Sequence, residues 1–142
     1  MTAKQYLRQI KHLDEMVDAK LEQVHKLRSL AESVTSTLSS DNVQSSQTHD
    51  KMAENITKII DLENDINRMV DELIDLKAEA IKLIGMVPSE DCRLVLFLRY
   101  INFYTWEKIA VTIPCAYRTT HYIHGRALIE FEEVLKEHKK IA

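Results

Sequence analysis

A run of polar, aromatic and cationic side chains between residues 117 and 122 is the part of the sequence best suited to recognise a ligand. It contains Tyr117, Arg118, His121 and Tyr122. The guanidinium group of arginine donates two parallel hydrogen bonds, and on DNA its preferred acceptors are O6 and N7 of guanine. Tyrosine and histidine add hydrogen-bonding groups on flat rings. If these four side chains share one side of a helix, they predict a surface that contacts bases and phosphates.

Residues 105–128 must fold as two helices with a tight turn to present this surface. Thr105 is of the residue type that caps a helix N-terminus. Pro114 cannot continue that helix and restricts Ile113 to an extended conformation, so a second helix begins near Ala116. Two helices joined in this way form a helix-turn-helix, whose second helix lies in the DNA major groove.

The two sides of this pair of helices differ in residue type. Apolar residues mark the inner side: Trp106, Ile109, Ala110, Ile113, Cys115, Ile123, Ala127 and Leu128. Thr120 also faces inward, and its hydroxyl needs a partner there. The predicted DNA contacts are Ala116, Tyr117, Arg118, Thr119, His121 and Tyr122, with Lys108 and Arg126 as additional phosphate contacts. Helix pairs with short turns also occur in all-α proteins that bind no DNA, which leaves a structural role as the alternative.

The residues around this segment resemble region 4 of the bacterial sigma-70 family. They are more similar still to the ArpU/RinA-type transcription regulators of phages and other mobile elements of Gram-positive bacteria. Three motifs over about residues 83–131 carry the resemblance: V-L-F-L-R-Y at 95–100, W-E-K-I-A at 106–110 and I-H-G-R-A-L at 123–128. Pro114, Thr120 and Gly125 stand where those families usually have Gly, Val or Ile, and Arg.

The resemblance implies a function and its setting. It implies a double-stranded DNA-binding regulator of late or packaging genes, with host RNA polymerase as a further partner, in the cytoplasm of a bacterial cell. A sigma factor proper is not expected, because residues 1–87 lack the aromatic, basic pattern needed to melt a promoter.

Residues 1–87 predict a long antiparallel helical hairpin resembling a coiled coil, followed by a small sigma-region-4-like helix-turn-helix domain over residues 88–142. The first helix is predicted from Thr2 to Leu38 and the second from Asp50 to Ile84, with a polar connection over about 39–50. The fold class is therefore all-α. Only two glycines and two prolines in 142 residues agree with this.

The second helix carries two apolar stripes. We call the first the heptad stripe; its residues alternate in spacings of three and four, and with Ala80 it contains Ile59, Leu62, Ile66, Met69, Leu73, Leu76 and Leu83. The second stripe contains Ile56, Ile60, Val70, Ile74, Ile81 and Ile84. One stripe can pack on the first helix, and the other predicts a homodimer or higher homo-oligomer, with the heptad stripe as its main contact. Coverage by the C-terminal domain of the same chain is the alternative.

Composition and motifs exclude several classes of protein. The net charge is −3, whereas residues 105–128 carry a local +2 from Lys108, Arg118 and Arg126 against Glu107. No uncharged run is long enough to span a membrane, and the N-terminus is not a signal peptide. No enzyme motif and no cofactor site is expected, and His121 with His124 lacks a third metal ligand.

The sequence therefore predicts a DNA-binding transcriptional regulator. Two alternatives remain. One is a protein-interaction module whose hairpin binds a partner while its C-terminal domain contacts no DNA. The other is a DNA-packaging recognition subunit.

Overall fold

A computed structural model shows that the described part of the chain is helical throughout and contains no strand. It describes the backbone of residues 1–40 and 46–141 and the side chains of residues 1–33 and 50–140. The helices are α1 (Ala3–Ser40), α2 (Ser46–Ile84), α3 (Glu90–Leu96), α4 (Trp106–Thr112) and α5 (Tyr117–Ile141). A π-helical turn, Phe97–Ile101, continues α3. The prediction of an all-α protein is confirmed.

The connection between the two long helices is shorter than the sequence predicts. The expected connection covered residues 39–50, but α1 continues to Ser40 and α2 already begins at Ser46. Residues 41–45 lie outside the described residues. Serine, glutamine and threonine cost only a few tenths of a kcal/mol each in a helix, so the absence of apolar periodicity did not exclude helix here. No helix within the described ranges is apolar over a length that would cross a membrane.

The chain forms two compact units. One, here called the terminal unit, joins Met1–Leu13 to Leu73–Ala142, and the other, the central unit, is Asp14–Glu72. The core of the terminal unit therefore does not begin at residue 88. Leu7 of α1 and Leu83 of α2 are buried together with Phe131 of α5. The short helices α3 and α4 cannot enclose a core alone, and the first turns of α1 and the last turns of α2 complete it.

In the central unit α1 packs on α2 through part of the heptad stripe. Val17 and Val24 of α1 are buried with Ile59 and Ile66 of α2, and Leu62 and Met69 pack at the edge. Lys20 forms a 3.0 Å ion pair with Asp65, and Arg28 pairs with Glu63. These heptad-stripe residues therefore pack against α1 within the chain.

The rest of the heptad stripe packs inside the terminal unit. Leu73 is buried with Ile10, Leu76 packs beside them, and Leu83 joins the core around Phe131. The second stripe is the more exposed of the two. Its exposed members are Ile56 and Ile60 in the central unit, and Ile74 and Ile81 in the terminal unit. Both stripes predicted from the sequence are therefore present on α2, and the heptad stripe, predicted as the main contact between subunits, is the one more buried within the chain.

The sequence predicts that the opening helix of the C-terminal domain buries Leu94, Val95, Phe97 and Leu98, and the structure differs at two of these four positions. Val95 and Leu98 are buried as predicted, but Leu94 is 45% exposed and Phe97 only half-buried. The face of α3 that meets the core carries Cys92 and Leu96, and Leu94 points away from it. An uninterrupted apolar run does not reveal which of its members faces inward, because helical periodicity cannot be read from it.

Candidate nucleic-acid interface

The turn between α4 and α5 has the local geometry that the sequence predicts. The Thr105 hydroxyl accepts a hydrogen bond from the Lys108 backbone N–H at 3.2 Å and so caps α4. Ile113 before the proline is extended, with φ −101° and ψ 98°. The Cys115 N–H donates to the Ala110 carbonyl at 3.3 Å, and Thr120 N–H donates to Ala116 at 3.1 Å. The second helix thus starts where the sequence placed it.

Buried residues on both helices fix α4 against α5. Ile109, Thr120 and Ala127 are fully buried and Ile123 nearly so. The Thr120 hydroxyl lies 3.1 Å from the Cys115 sulfur and 3.4 Å from the Ala116 carbonyl oxygen. The polar group predicted on the inner side therefore has partners, and burying it costs little.

The opposite side of the start of α5 is open to solvent. We call it the base-contact face, after the contact that the sequence predicts for it; it contains Ala116, Tyr117, Arg118, Thr119, His121 and Tyr122, all of them exposed. Tyr122 is 69% exposed. Lys108 of α4 is exposed as well, and its ammonium group lies 3.9 Å from the centre of the Tyr104 ring. Every residue that the sequence predicted to contact DNA, except Arg126, therefore lies on an exposed surface.

Rings in tilted and edge-to-face contact, here called the stack, join this face to the π-helical turn after α3. The Arg99 guanidinium lies 4.5 Å from the centre of the Trp106 ring, and His121 packs on Trp106 and on Tyr117 with ring centroids 4.6 Å apart in both pairs. Arg99 also donates a 2.9 Å hydrogen bond to the Tyr104 carbonyl oxygen. The sequence predicted Trp106 as a core residue, but it is half-buried in this stack. Sequence reasoning missed Arg99, although a lone arginine in the apolar run 95–101 was the available signal.

His124 is buried next to this stack. It is 8% exposed, and its Nε2 is 2.7 Å from the Tyr100 hydroxyl oxygen. Burial, assisted by the positive charges of Lys4, Arg99 and Arg8, lowers the pKa of His124 to about 4. His124 is therefore a neutral packing residue. Among the described residues, no group of three or more metal-ligand side chains includes it or any other histidine.

Arg126 is engaged within the protein. One nitrogen of its guanidinium donates to both carboxylate oxygens of Asp91, at 2.7 and 2.6 Å. The hydrogen bond from Arg126 holds the pKa of Asp91 below its usual value. Arg126, which the sequence predicts as a phosphate contact, thus forms an ion pair that joins α5 to α3. This partner lies 35 positions away in sequence, so spacing within α5 could not reveal it.

The sequence predicts that Ser89 caps the helix that begins with Glu90 and Asp91, but its side chain has another partner. It stands at the N-terminus of α3 in an extended conformation but makes no side-chain capping bond. Its hydroxyl donates instead to Glu130 of α5 at 2.6 Å. This hydrogen bond holds the pKa of Glu130 below its usual value. Together with the Arg126–Asp91 pair, it fixes the beginning of α3 to the middle of α5.

Comparison with known proteins assigns the chain to a family. The family described as protein of unknown function DUF1492 matches residues 32–132, and the chain belongs to it. The matched range contains all of the base-contact face and the whole of α2. No curated protein and no solved structure matches the chain.

Proposed function

We propose that this protein is a sequence-specific, double-stranded DNA-binding transcriptional regulator. In this proposal α4, the turn and α5 act as a helix-turn-helix, and α1 and α2 act as a helical hairpin that assembles subunits. The observation that carries the proposal is the base-contact face. It presents Arg118, two tyrosines and His121 to solvent over the first turns of a helix that α4 holds in place.

The chemistry of the face suits DNA. Arg118 is exposed and forms no ion pair with any described residue, so its guanidinium can donate to guanine without losing an internal partner. His121 packs on Trp106 and Tyr117, which restricts its rotamers before DNA arrives. A side chain that is already ordered loses less entropy on binding. Lys108, held over Tyr104, is placed to contact a phosphate.

The resemblance to sigma-70 region 4 and to the ArpU/RinA-type regulators supports the biological part of the proposal. On that basis the protein acts on late or packaging genes of a phage or mobile element, with host RNA polymerase as a partner, in the bacterial cytoplasm. The three motifs that carry the resemblance form the π-helical turn with the end of α3, the beginning of α4, and the middle of α5.

Assembly of subunits would raise the affinity. The base-contact face with Lys108 offers few phosphate contacts, and a module of this kind binds DNA weakly alone. Two linked modules bind a paired site far more tightly than one. The exposed isoleucines of α2, Ile56 and Ile60 in the central unit, provide apolar surface for a second copy.

The direct experiment is selection of bound duplexes from a random pool by the full-length protein. We expect a sequence motif to be enriched. The double variant Arg118→Ala/His121→Ala should lose the enrichment, whereas Lys139→Ala, an exposed lysine near the other end of α5, should keep it. Absence of any enriched motif with the wild-type protein would overturn the proposal.

The second candidate function is a protein-interaction module, which the exposed isoleucines of α2 favour. Mapping of bound sites in the genome of origin separates the candidates. Sites at promoters agree with a regulator, and a site where packaging begins agrees with a DNA-packaging recognition subunit. No bound site at all would favour the interaction module.

A further inference from the structure

The first two turns of α1 lie in the same compact unit as the base-contact face. Ala3 and Leu7 are fully or almost fully buried in the core that contains Tyr100, Ile123 and Phe131. The ring of Tyr6 packs against Phe131 with centroids 5.8 Å apart. The N-terminal end of α1 is thus fixed to α5, although more than 100 positions separate them in sequence.

Two cations stand on one flank of this buried stripe. Lys4 and Arg8 each follow a buried residue, Ala3 and Leu7, and both are exposed. At about 100° per residue, they lie on the flank opposite to Tyr6, whose hydroxyl donates a 2.5 Å hydrogen bond to Glu79. Neither Lys4 nor Arg8 forms an ion pair with a described residue.

Ala3 and Leu7, the buried residues next to Lys4 and Arg8, share a core with Tyr100 and Ile123, and Trp106 packs against that core. The positive charges of Lys4, Arg8 and Arg99 act on the buried His124 side chain, whose ring centroid lies 4.6 Å from that of Trp106. Those of Arg99 and Arg8 also act on Tyr100, its hydrogen-bond partner. Arg99 in turn lies on Trp106, which contacts His121 of the base-contact face. Lys4, Arg8 and Arg99 therefore surround one region next to that face.

The base-contact face needs additional positive charge. Within residues 105–128, Arg126 is paired with Asp91. The remaining charges are those of Lys108 and Arg118 against Glu107, a net charge of +1. Double-stranded DNA carries one negative charge per about 1.7 Å of its length, and proteins bind it through several phosphate contacts. Cations brought together without carboxylate partners repel one another. Their clustering is favourable when a polyanion such as DNA binds among them.

We propose that Lys4, Arg8 and Arg99 form a phosphate-binding site that extends the DNA interface beyond the base-contact face, so that the N-terminal end of α1 contacts the DNA backbone. This inference rests on the proposed function, because it assigns a second contact to the same ligand. Arg99 is held by Trp106 and by the Tyr104 carbonyl, whereas Lys4 and Arg8 are free to move onto the phosphates.

The test is the salt dependence of DNA binding by the full-length protein. We would measure the dissociation constant for a selected duplex and for a scrambled one between about 50 and 200 mM salt, the range over which such contacts change affinity strongly. The double variant Lys4→Gln/Arg8→Gln removes two charges from exposed side chains that support no core contact. The matched control is Lys51→Gln/Lys58→Gln, which removes two charges from exposed positions of α2 in the central unit.

We expect the slope of log affinity against log salt to become shallower by about 0.9 for each lost contact, hence by about 1.8 in Lys4→Gln/Arg8→Gln. Both duplexes should lose affinity by the same factor, because phosphate contacts do not distinguish sequence. The control should keep the wild-type slope. The variant Lys4→Arg/Arg8→Lys, which keeps both positive charges, should also have the wild-type slope.

The possible failures are distinguishable. Equal slopes for Lys4→Gln/Arg8→Gln and the wild type would overturn this inference and leave the proposed function standing. Equal losses of DNA affinity in that variant and in the control would also overturn it, because they would show a general effect of net charge. If the wild-type protein binds neither duplex, the proposed function fails and this inference with it. Salt-dependent binding to anionic vesicles, with none to DNA, would point to a membrane surface instead.

Discussion

The side chains around residue 124 show how burial decides the role of a single histidine. His124 and His121 are one helical turn apart and look alike in the sequence. His121 is exposed on the base-contact face, whereas His124 is buried and hydrogen-bonded to Tyr100. Burial among cations lowers the pKa of His124 to about 4, below the value of about 6.5 in an unfolded chain. His124 is therefore neutral in the folded protein at neutral pH.

This difference predicts a pH dependence of stability. Between pH 6.5 and 4 the unfolded chain binds a proton at His124 that the folded chain does not, so the free energy of unfolding falls as the pH falls. The loss should approach about 3 kcal/mol near pH 4, at 1.36 kcal/mol for each pKa unit. Urea unfolding at several pH values measures it. The free energy of unfolding of His124→Gln should not fall in this pH window. That of the exposed control His12→Gln should fall as in the wild type. The same slope in all three proteins would contradict the assignment.

Two carboxylates cause a separate loss of folding stability at lower pH. Arg126 lowers the pKa of Asp91, and Ser89 lowers that of Glu130, so both groups stabilise the folded state while they are ionised. Their contribution is present at neutral pH and is lost as the pH falls through their lowered pKa values. The histidine effect therefore comes first on acidification, and the two can be separated by pH.

At the scale of elements, the pair α4 and α5 is held together from two sides. Ile109, Thr120 and Ile123 fill the crossing itself, and the stack of Arg99, Trp106 and His121 closes its outer edge. Trp106 is thus an edge residue that supports the base-contact face. Phe131, further along α5, is fully buried in the core of the terminal unit.

The two aromatic residues should differ in their effect on stability. Phe131→Ala removes a fully buried ring and should cost about 3–5 kcal/mol. Trp106→Ala removes a half-buried ring and should cost roughly 1–3 kcal/mol, although tryptophan is the larger side chain. The free energies of unfolding in urea test this order. A larger loss for Trp106→Ala than for Phe131→Ala would show that Trp106 is a core residue, as the sequence alone indicated.

Local signals in the sequence were sufficient to predict where α4 begins and ends. They were not sufficient to predict which side chains pair between helices. Thr105 and Pro114 fixed the ends of α4, because a capping hydroxyl and a proline act on the backbone next to them. The side-chain partners of Arg126 and Ser89 were not predicted, because Asp91 and Glu130 reach them only through packing of α3 on α5. Neither pairing can be inferred from the spacing of residues along one helix.

At the scale of the whole molecule, the two ends of the chain share one core. Met1–Leu13 belongs to the same compact unit as Leu73–Ala142, and Asp14–Glu72 forms a second unit. Apolar periodicity in α1 predicted a buried stripe, but it could not show that Ala3 and Leu7 meet Phe131 while Val17 and Val24 meet Ile59. The sequence also indicated two apolar stripes on α2, but it did not show which of them α1 covers.

The choice between these stripes leads to a prediction about assembly. We expect a homodimer or higher homo-oligomer by sedimentation at micromolar concentration. Ile56→Ser/Ile60→Ser, which changes exposed positions, should weaken self-association and leave the melting temperature nearly unchanged. Ile59→Ser/Ile66→Ser, which places hydroxyls in the buried core of the central unit, should destabilise the fold. A wild-type protein that remains monomeric at high micromolar concentration would contradict the assembly.

The most direct test of DNA recognition by α5 is the ratio between affinities for a selected duplex and a scrambled one. A bidentate arginine–guanine contact contributes roughly 1–3 kcal/mol of discrimination, or about 5- to 150-fold. Arg118→Ala should therefore reduce the ratio by a factor in that range. Lys108→Ala should weaken binding to both duplexes equally and leave the ratio unchanged. If Arg118→Ala keeps the wild-type ratio, the first turns of α5 do not contact bases, and the protein is not the regulator proposed here.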